Sequence, residues 1–99
     1  MEILRQDDGS VRLQGHLHIS DAEELRAALV GGLASDAGLT LDLSGVESCD
    51  AAGFQLLCSA RKSARESNKE FHISALPAAM RDAAATLGLS VEDFAGASD

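Results

Sequence analysis

The chain has no tryptophan and no tyrosine, and only three of its 99 residues are phenylalanine. A core with so few rings has to be filled by Leu, Ala, Val and Ile, and helices with small, Ala-rich faces can then approach their neighbours closely. Cysteine is scarce too. Cys49 and Cys58 lie nine residues apart with no C-x-x-C pattern, and both read as reduced thiols rather than a disulfide framework or a metal knuckle. No apolar run approaches the length of a membrane span, so membrane insertion is not expected. Met1-Glu2-Ile3-Leu4-Arg5 lacks the form of an export signal, which makes the cytoplasm the expected location. Positive charge is in short supply: eight Lys and Arg stand against sixteen Asp and Glu, a formal charge of −8. Nucleic acids and anionic membrane surfaces call for a basic footprint and are disfavoured as partners. An acidic surface suits a partner with a basic patch, and it is equally the ordinary surface of a soluble protein.

What is present points to one domain. Ninety-nine residues at 45% hydrophobic content support a single packed core and exclude a disordered chain. The expected domain is 1–99, with a core over about 3–89 and an acidic tail from 90 to 99. A short strand at 3–5 meets the turn signal Asp7-Asp8-Gly9. Val11, Leu13, Gly15, Leu17 and Ile19 then alternate with Arg12, Gln14, His16 and His18, the period-two pattern of a half-buried strand. Ser20 and Glu23 form an S-x-x-E capping box before a helix striped by Leu25, Leu29 and Leu33. Gly31 and Gly32 weaken its end, and a turn follows at 35–38.

A second strand is expected at 39–43, followed by a loop over 44–49. Asp50 then caps a helix over about 51–67, with Leu56, Leu57, Ala60 and Ala64 on its apolar side. Arg61, Lys62 and Arg65 suit its negative end. A short strand at 70–74 leads to a third helix opened by Pro77, with Met80, Ala83 or Ala84, and Leu87 inward. Gly88-Leu89 reads as a Schellman stop, and the tail from Glu92 reads as frayed in spite of Phe94. The order β-β-α-β-α-β-α predicts an α/β fold. Its four-stranded sheet is mixed and mostly parallel, with helices on one face of a two-layer sandwich and the other face largely solvated.

The informative stretch runs from Leu41 to Leu57. A strand ends, Asp50 caps, and a helix opens on Ala51, Ala52 and Gly53, where free backbone N–H groups and small side chains suit docking. Gly53 leaves room for another backbone. This stretch resembles the STAS family, the fold of the anti-sigma factor antagonists. The resemblance covers Val11 to Leu89 and rests on four features in order: Gly15-His16-Leu17 before a capped helix, the LDLSGV strand and loop, the D-x-x-G-x-x-L-L helix start, and a Pro followed by a late Leu-Gly-Leu.

The resemblance implies a non-catalytic, protein-binding module of bacterial signal transduction with no cofactor. In partner-switching members, a Ser or Thr just before the Gly takes a phosphate from an anti-sigma kinase. Here that position is Ala52 and its neighbour is Ala51, so the usual switch is missing. The partner-binding residues it implies are Ser48, Asp50, Ala51, Ala52, Gly53, Phe54 and Gln55. The partner would be a signalling protein, an anti-sigma kinase or a chemosensory component, since Gln55-Leu56-Leu57 is similar to a subset encoded in chemosensory operons. Another subset of the family docks on the ATPase of phospholipid ABC transporters, which is the alternative role.

A different class of reading is a metal- or thiol-dependent enzyme. His16 and His18 share the polar face of one strand, and Asp42 and His72 join them if the strands lie in sequence order, which is a zinc-type donor set. Exposed sheet-face histidines are the commoner arrangement, and no metal is expected. Cys49 near a helix N-terminus has one feature of a reactive thiol, but Asp50 beside it opposes ionisation. Ser44 and Ser48 read as turn residues ahead of substitute phosphoacceptors, and Arg61, Lys62, Arg65 and Lys69 as a solvated helix face ahead of a docking stripe. No P-loop pattern is present.

Overall fold

The computed structural model describes residues 1–34 and 38–90; of the turn expected at 35–38 all but Gly38, and of the acidic tail expected at 90–99 all but Ser90, lie outside them. A hairpin of β1 (Glu2–Arg5) and β2 (Val11–Leu17) opens the chain, its turn closed by Gly9 at φ 90° and by Asp8, which accepts from the amide of Ser10 at 2.9 Å. After a 3-10 turn at Ile19–Asp21 come α1 (Ala22–Leu33), β3 (Leu39–Cys49), α2 (Ala51–Glu66), β4 (Phe71–Ala75) and α3 (Ala78–Thr86). The sheet order is β1-β2-β3-β4, with β1 antiparallel and the other neighbours parallel. The two crossovers through α1 and α2 run in the same direction along the sheet, and their common handedness puts both helices on one face. This is the α/β, two-layer sandwich expected from the alternation pattern. One core cluster joins Leu13 and Leu17 of β2, Leu41 and Leu43 of β3, Leu25 of α1, Phe54 and Leu57 of α2 and Met80 of α3.

Several boundaries differ from the sequence reading, each for a local reason. β3 does not end at Leu43. It runs on to Cys49, and its buried positions 39, 41, 43, 46 and 49 change spacing from two to three. Two register irregularities against β2 absorb the extra residues, one of them between Gly15 and His16. Gly15 sits there at φ 91°, a conformation that other residues adopt only at a cost of roughly 1–2 kcal/mol. Strand β2 stops at Leu17, and Ile19, expected on its inner face, is 73% exposed in the 3-10 turn. The Ser20–Glu23 capping box is not what opens α1. Asp21 is its N-cap residue, and its carboxylate accepts from His18 N–H at 3.4 Å.

At the other end of the chain, Pro77 is the N-cap of α3 instead of its first helical residue, and Leu87 lies past the helix end, 46% exposed. The Schellman stop forms as read. Leu89 N–H donates to Ala84 O at 2.8 Å and Gly88 N–H to Ala85 O at 3.1 Å, with Gly88 at φ 76°. The end of α2 is closed the same way around Asn68 at φ 56°.

Candidate functional site

The candidate site lies where β2 and β3 finish and α2 begins, at the carboxyl ends of two parallel strands. Asp50 organises it. Its Oδ1 accepts from Gly53 N–H at 3.0 Å, the N-cap bond of α2, and its Oδ2 accepts from Ile19 N–H at 2.9 Å. Its own N–H donates to Leu17 O at 3.1 Å. One carboxylate therefore ties the start of α2 to the turn that leaves β2. Burial works against its charge, but the amides of Gly53 and Ile19, the His18 imidazole and the amide of Ala52 outweigh it and hold the carboxyl below its usual range.

Two residues expected at the docking surface belong to the chain's own interior. Phe54 is fully buried in the core cluster. Gly53 is buried against β2: a Cβ there would come within 2.8 Å of Leu17 O and 2.7 Å of Cys49 Sγ. The close approach that needs glycine is thus the helix meeting its own sheet. Spacing in the sequence showed that something packs there, without showing what. The outward surface consists of Ala51 and Gln55, which are exposed, and Ser48, Asp50 and Ala52, which are half-buried. Exposed Ile19, tied to Asp50 through its amide, adds an apolar side chain that sequence reasoning had assigned to the core.

The continuation of β3 creates a cluster beside this surface. His16 pairs across the ladder with Ser48. His16 Nδ1 lies 2.6 Å and His18 Nε2 2.8 Å from Ser48 Oγ, with the two rings 5.4 Å apart. The hydroxyl has one proton to donate and two lone pairs that accept, so it can serve both imidazoles at once, with the roles set by the tautomer of each ring. The i, i+2 spacing of His16 and His18, read as the polar face of one strand, was the only sequence signal for this cluster; His18 in fact lies just past the end of β2. Their partner was hidden because Ser48 was read as loop.

Asp42 and His72 do not join the histidines, although the strands do lie in sequence order. Asp42 pairs with Arg12 and His72 with Thr40, toward the other end of β3. The Ser44 hydroxyl and amide hold the Asp42 carboxyl below its usual range, with Arg12 adding to the effect. Among the described residues, no group of three or more His, Cys, Asp or Glu side chains is placed to hold a metal ion. Cys49 is buried; desolvation, with the charge of Asp50 adding, pushes its thiol up to about 12. It is a packing residue rather than a nucleophile.

No helix of the described residues is long and apolar enough to cross a membrane. No curated protein matches the chain in a sequence comparison. The family model described as Mlab, STAS domain, matches residues 3–91, nearly the whole of the chain and, apart from Glu2 of β1, every strand and helix described above. The chain belongs to the STAS domain family.

Proposed function

We propose that this STAS domain is a non-catalytic docking module of bacterial signal transduction that captures a partner protein at the start of α2. STAS domains typically mediate protein–protein contacts and are generally non-catalytic, which makes a binding role the family's broad expectation. The observation that carries the reading is the first turn of α2, held by Asp50 in a fixed position that presents Ala51, Ala52 and Gln55 outward, with exposed Ile19 alongside. Small side chains on a pre-positioned helix end let a partner backbone come close at little cost in ordering. Alanine has no hydroxyl, so a phosphate at position 52 cannot be the switch. Capture is then governed by the partner's own state or by competition for this surface. The partner is a signalling protein, a kinase of the anti-sigma type or a chemosensory component.

Calorimetry with the partner recovered from the native cell tests the site. Ala52→Glu places a carboxylate at a helix N-terminus, where it changes folding by only about 0.3–1 kcal/mol in the favourable direction. It should weaken capture by about 2 kcal/mol or more, roughly thirtyfold. Arg65→Glu, at the far end of the same helix, should leave capture nearly unchanged. Tight binding by Ala52→Glu together with failure of Arg65→Glu would move the interface to the basic end of α2. Phosphate incorporated into wild-type Ser44 or Ser48 would replace the switchless reading with one of a shifted phosphoacceptor.

A second reading keeps the docking surface and changes the partner to the ATPase of a phospholipid ABC transporter. Membership of the STAS family favours it, because the family serves transporter-associated as well as regulatory roles. Recovery of a transporter ATPase in place of a signalling protein would decide for it.

A further inference from the structure

Between α1 and α2 lies a groove that the docking surface does not use. Both helices return from the carboxyl ends of their strands, so they run side by side in one direction. The groove encloses about 650 Å³, inside the range of about 300–1,000 Å³ common for small-molecule sites. Buried Leu29 and Ala60 form its floor, and Val30 and Leu33 of α1 face Leu56 of α2 across it. Val30 is 62% exposed, so the packing of the two helices leaves one aliphatic wall open to water. From Arg26 to Leu33 the groove runs about 10 Å along α1.

Arg26 is the one charged residue in the lining. Among the described residues no carboxylate pairs with its guanidinium, Glu23 one turn back on α1 included, and no hydrogen bond holds it. Ser59 and Ser63, one turn apart on α2, add hydroxyls to an otherwise aliphatic surface. A short apolar groove with a single unpaired cation suits an aliphatic chain that carries one anionic head.

We propose that this groove binds a free fatty acid of medium chain length, with its carboxylate on Arg26 and its chain along Val30, Leu33 and Leu56. Charge commits the site to this occupant. The formal charge of −8 turns the molecule away from anionic bilayers, whereas one small carboxylate needs only the local guanidinium. A second copy seated groove to groove would crowd two unpaired guanidinium groups into an apolar interface. The site is separate from the start of α2 and does not depend on where a protein partner docks.

Titration of the ¹⁵N-labelled full chain with decanoate, kept below its micelle concentration, tests the proposal. Amide shifts should move for residues 26–33 and 56–63 and stay still at Ser48 and His72. Arg26→Gln should weaken binding about fivefold, the worth of an exposed charged contact. Val30→Ser should weaken it about fivefold as well, through lost apolar contact. Both side chains are exposed, so both variants should melt with wild type. Decanol should bind wild type about fivefold more weakly than decanoate and should not distinguish Arg26→Gln from wild type. Arg65→Gln, outside the groove, should bind decanoate as wild type does.

Absence of shifts at millimolar decanoate would overturn the site. Equal binding of decanol and decanoate, or of Arg26→Gln and wild type, would overturn the anionic head. Retention of wild-type protein on phosphatidylglycerol vesicles, lost in Val30→Ser, would overturn the proposal in favour of a membrane surface. A dimer that Val30→Ser dissolves would overturn it in favour of a second copy.

Discussion

Replacing Asp50 by alanine removes two carboxylate hydrogen bonds from opposite sides of one junction, the cap on Gly53 and the tie to Ile19. Loss of an N-cap costs about 1 kcal/mol. A hydrogen bond to a charged group is worth about 1.5–3 kcal/mol, and the half-exposure of Asp50 puts the tie at the low end of that range. Together Asp50→Ala should lower stability by about 2–3 kcal/mol. Asp50→Asn keeps one acceptor oxygen, serves one amide of the two, and should lose about half as much. Urea unfolding followed by circular dichroism measures this as a fall in midpoint with unchanged slope.

The effect carries a pH signature. Because the folded carboxyl is held below its ordinary value, its contribution is complete above the unfolded value of about 3.9 and fades as pH falls through the lower folded value. The gap between wild type and Asp50→Ala should therefore be constant from neutral pH down to about 5 and shrink below about 4. Taking the difference cancels Asp8 and Asp42, which are shifted the same way. If Asp50→Ala unfolds within about 0.5 kcal/mol of wild type, or the gap persists at low pH, the carboxylate does not join α2 to β2 as described.

Gly53→Ala pushes a methyl against Leu17 O and Cys49 Sγ and should cost about 1–3 kcal/mol by thermal melting. Gly88→Ala meets open space but keeps a positive φ, so its cost should be about 1–2 kcal/mol, from conformation alone. Cys49 should resist alkylation in the folded protein at pH 8 and label only on unfolding, because its thiol is buried and pushed up to about 12. Ser48→Ala should remove the hydroxyl that bridges His16 and His18, which the ¹⁵N shifts of His16 Nδ1 and His18 Nε2 report directly, with a stability change of less than about 1 kcal/mol.

Local patterns carried much of this architecture. The Asp-Asp-Gly turn, the Asp50 cap and the Gly88-Leu89 stop depend on backbone preferences and on neighbours within a few positions, and each formed as read, as did the two-residue period of β2 from Val11 to Leu13 and its inward Leu17. So did the element order, because β-α-β alternation leaves few ways to cover one face of a sheet. Tertiary structure decided what depends on pairing between distant segments. Only the ladder with β2 shows that 44–49 is strand, since its buried positions fall three apart and look like loop when read alone. That ladder also places Ser48 between two imidazoles some thirty residues earlier in the chain. Phe54 and Gly53 were read as surface because a helix start shows its small residues before it shows its depth, and depth is set by how closely α2 settles on Leu17. Ile19 moved the opposite way, out of the core, when the Asp50 carboxylate took its amide and β2 stopped two residues early. Spacing along a chain encodes the face of an element; which neighbour that face meets, and how near, is settled only when the elements pack.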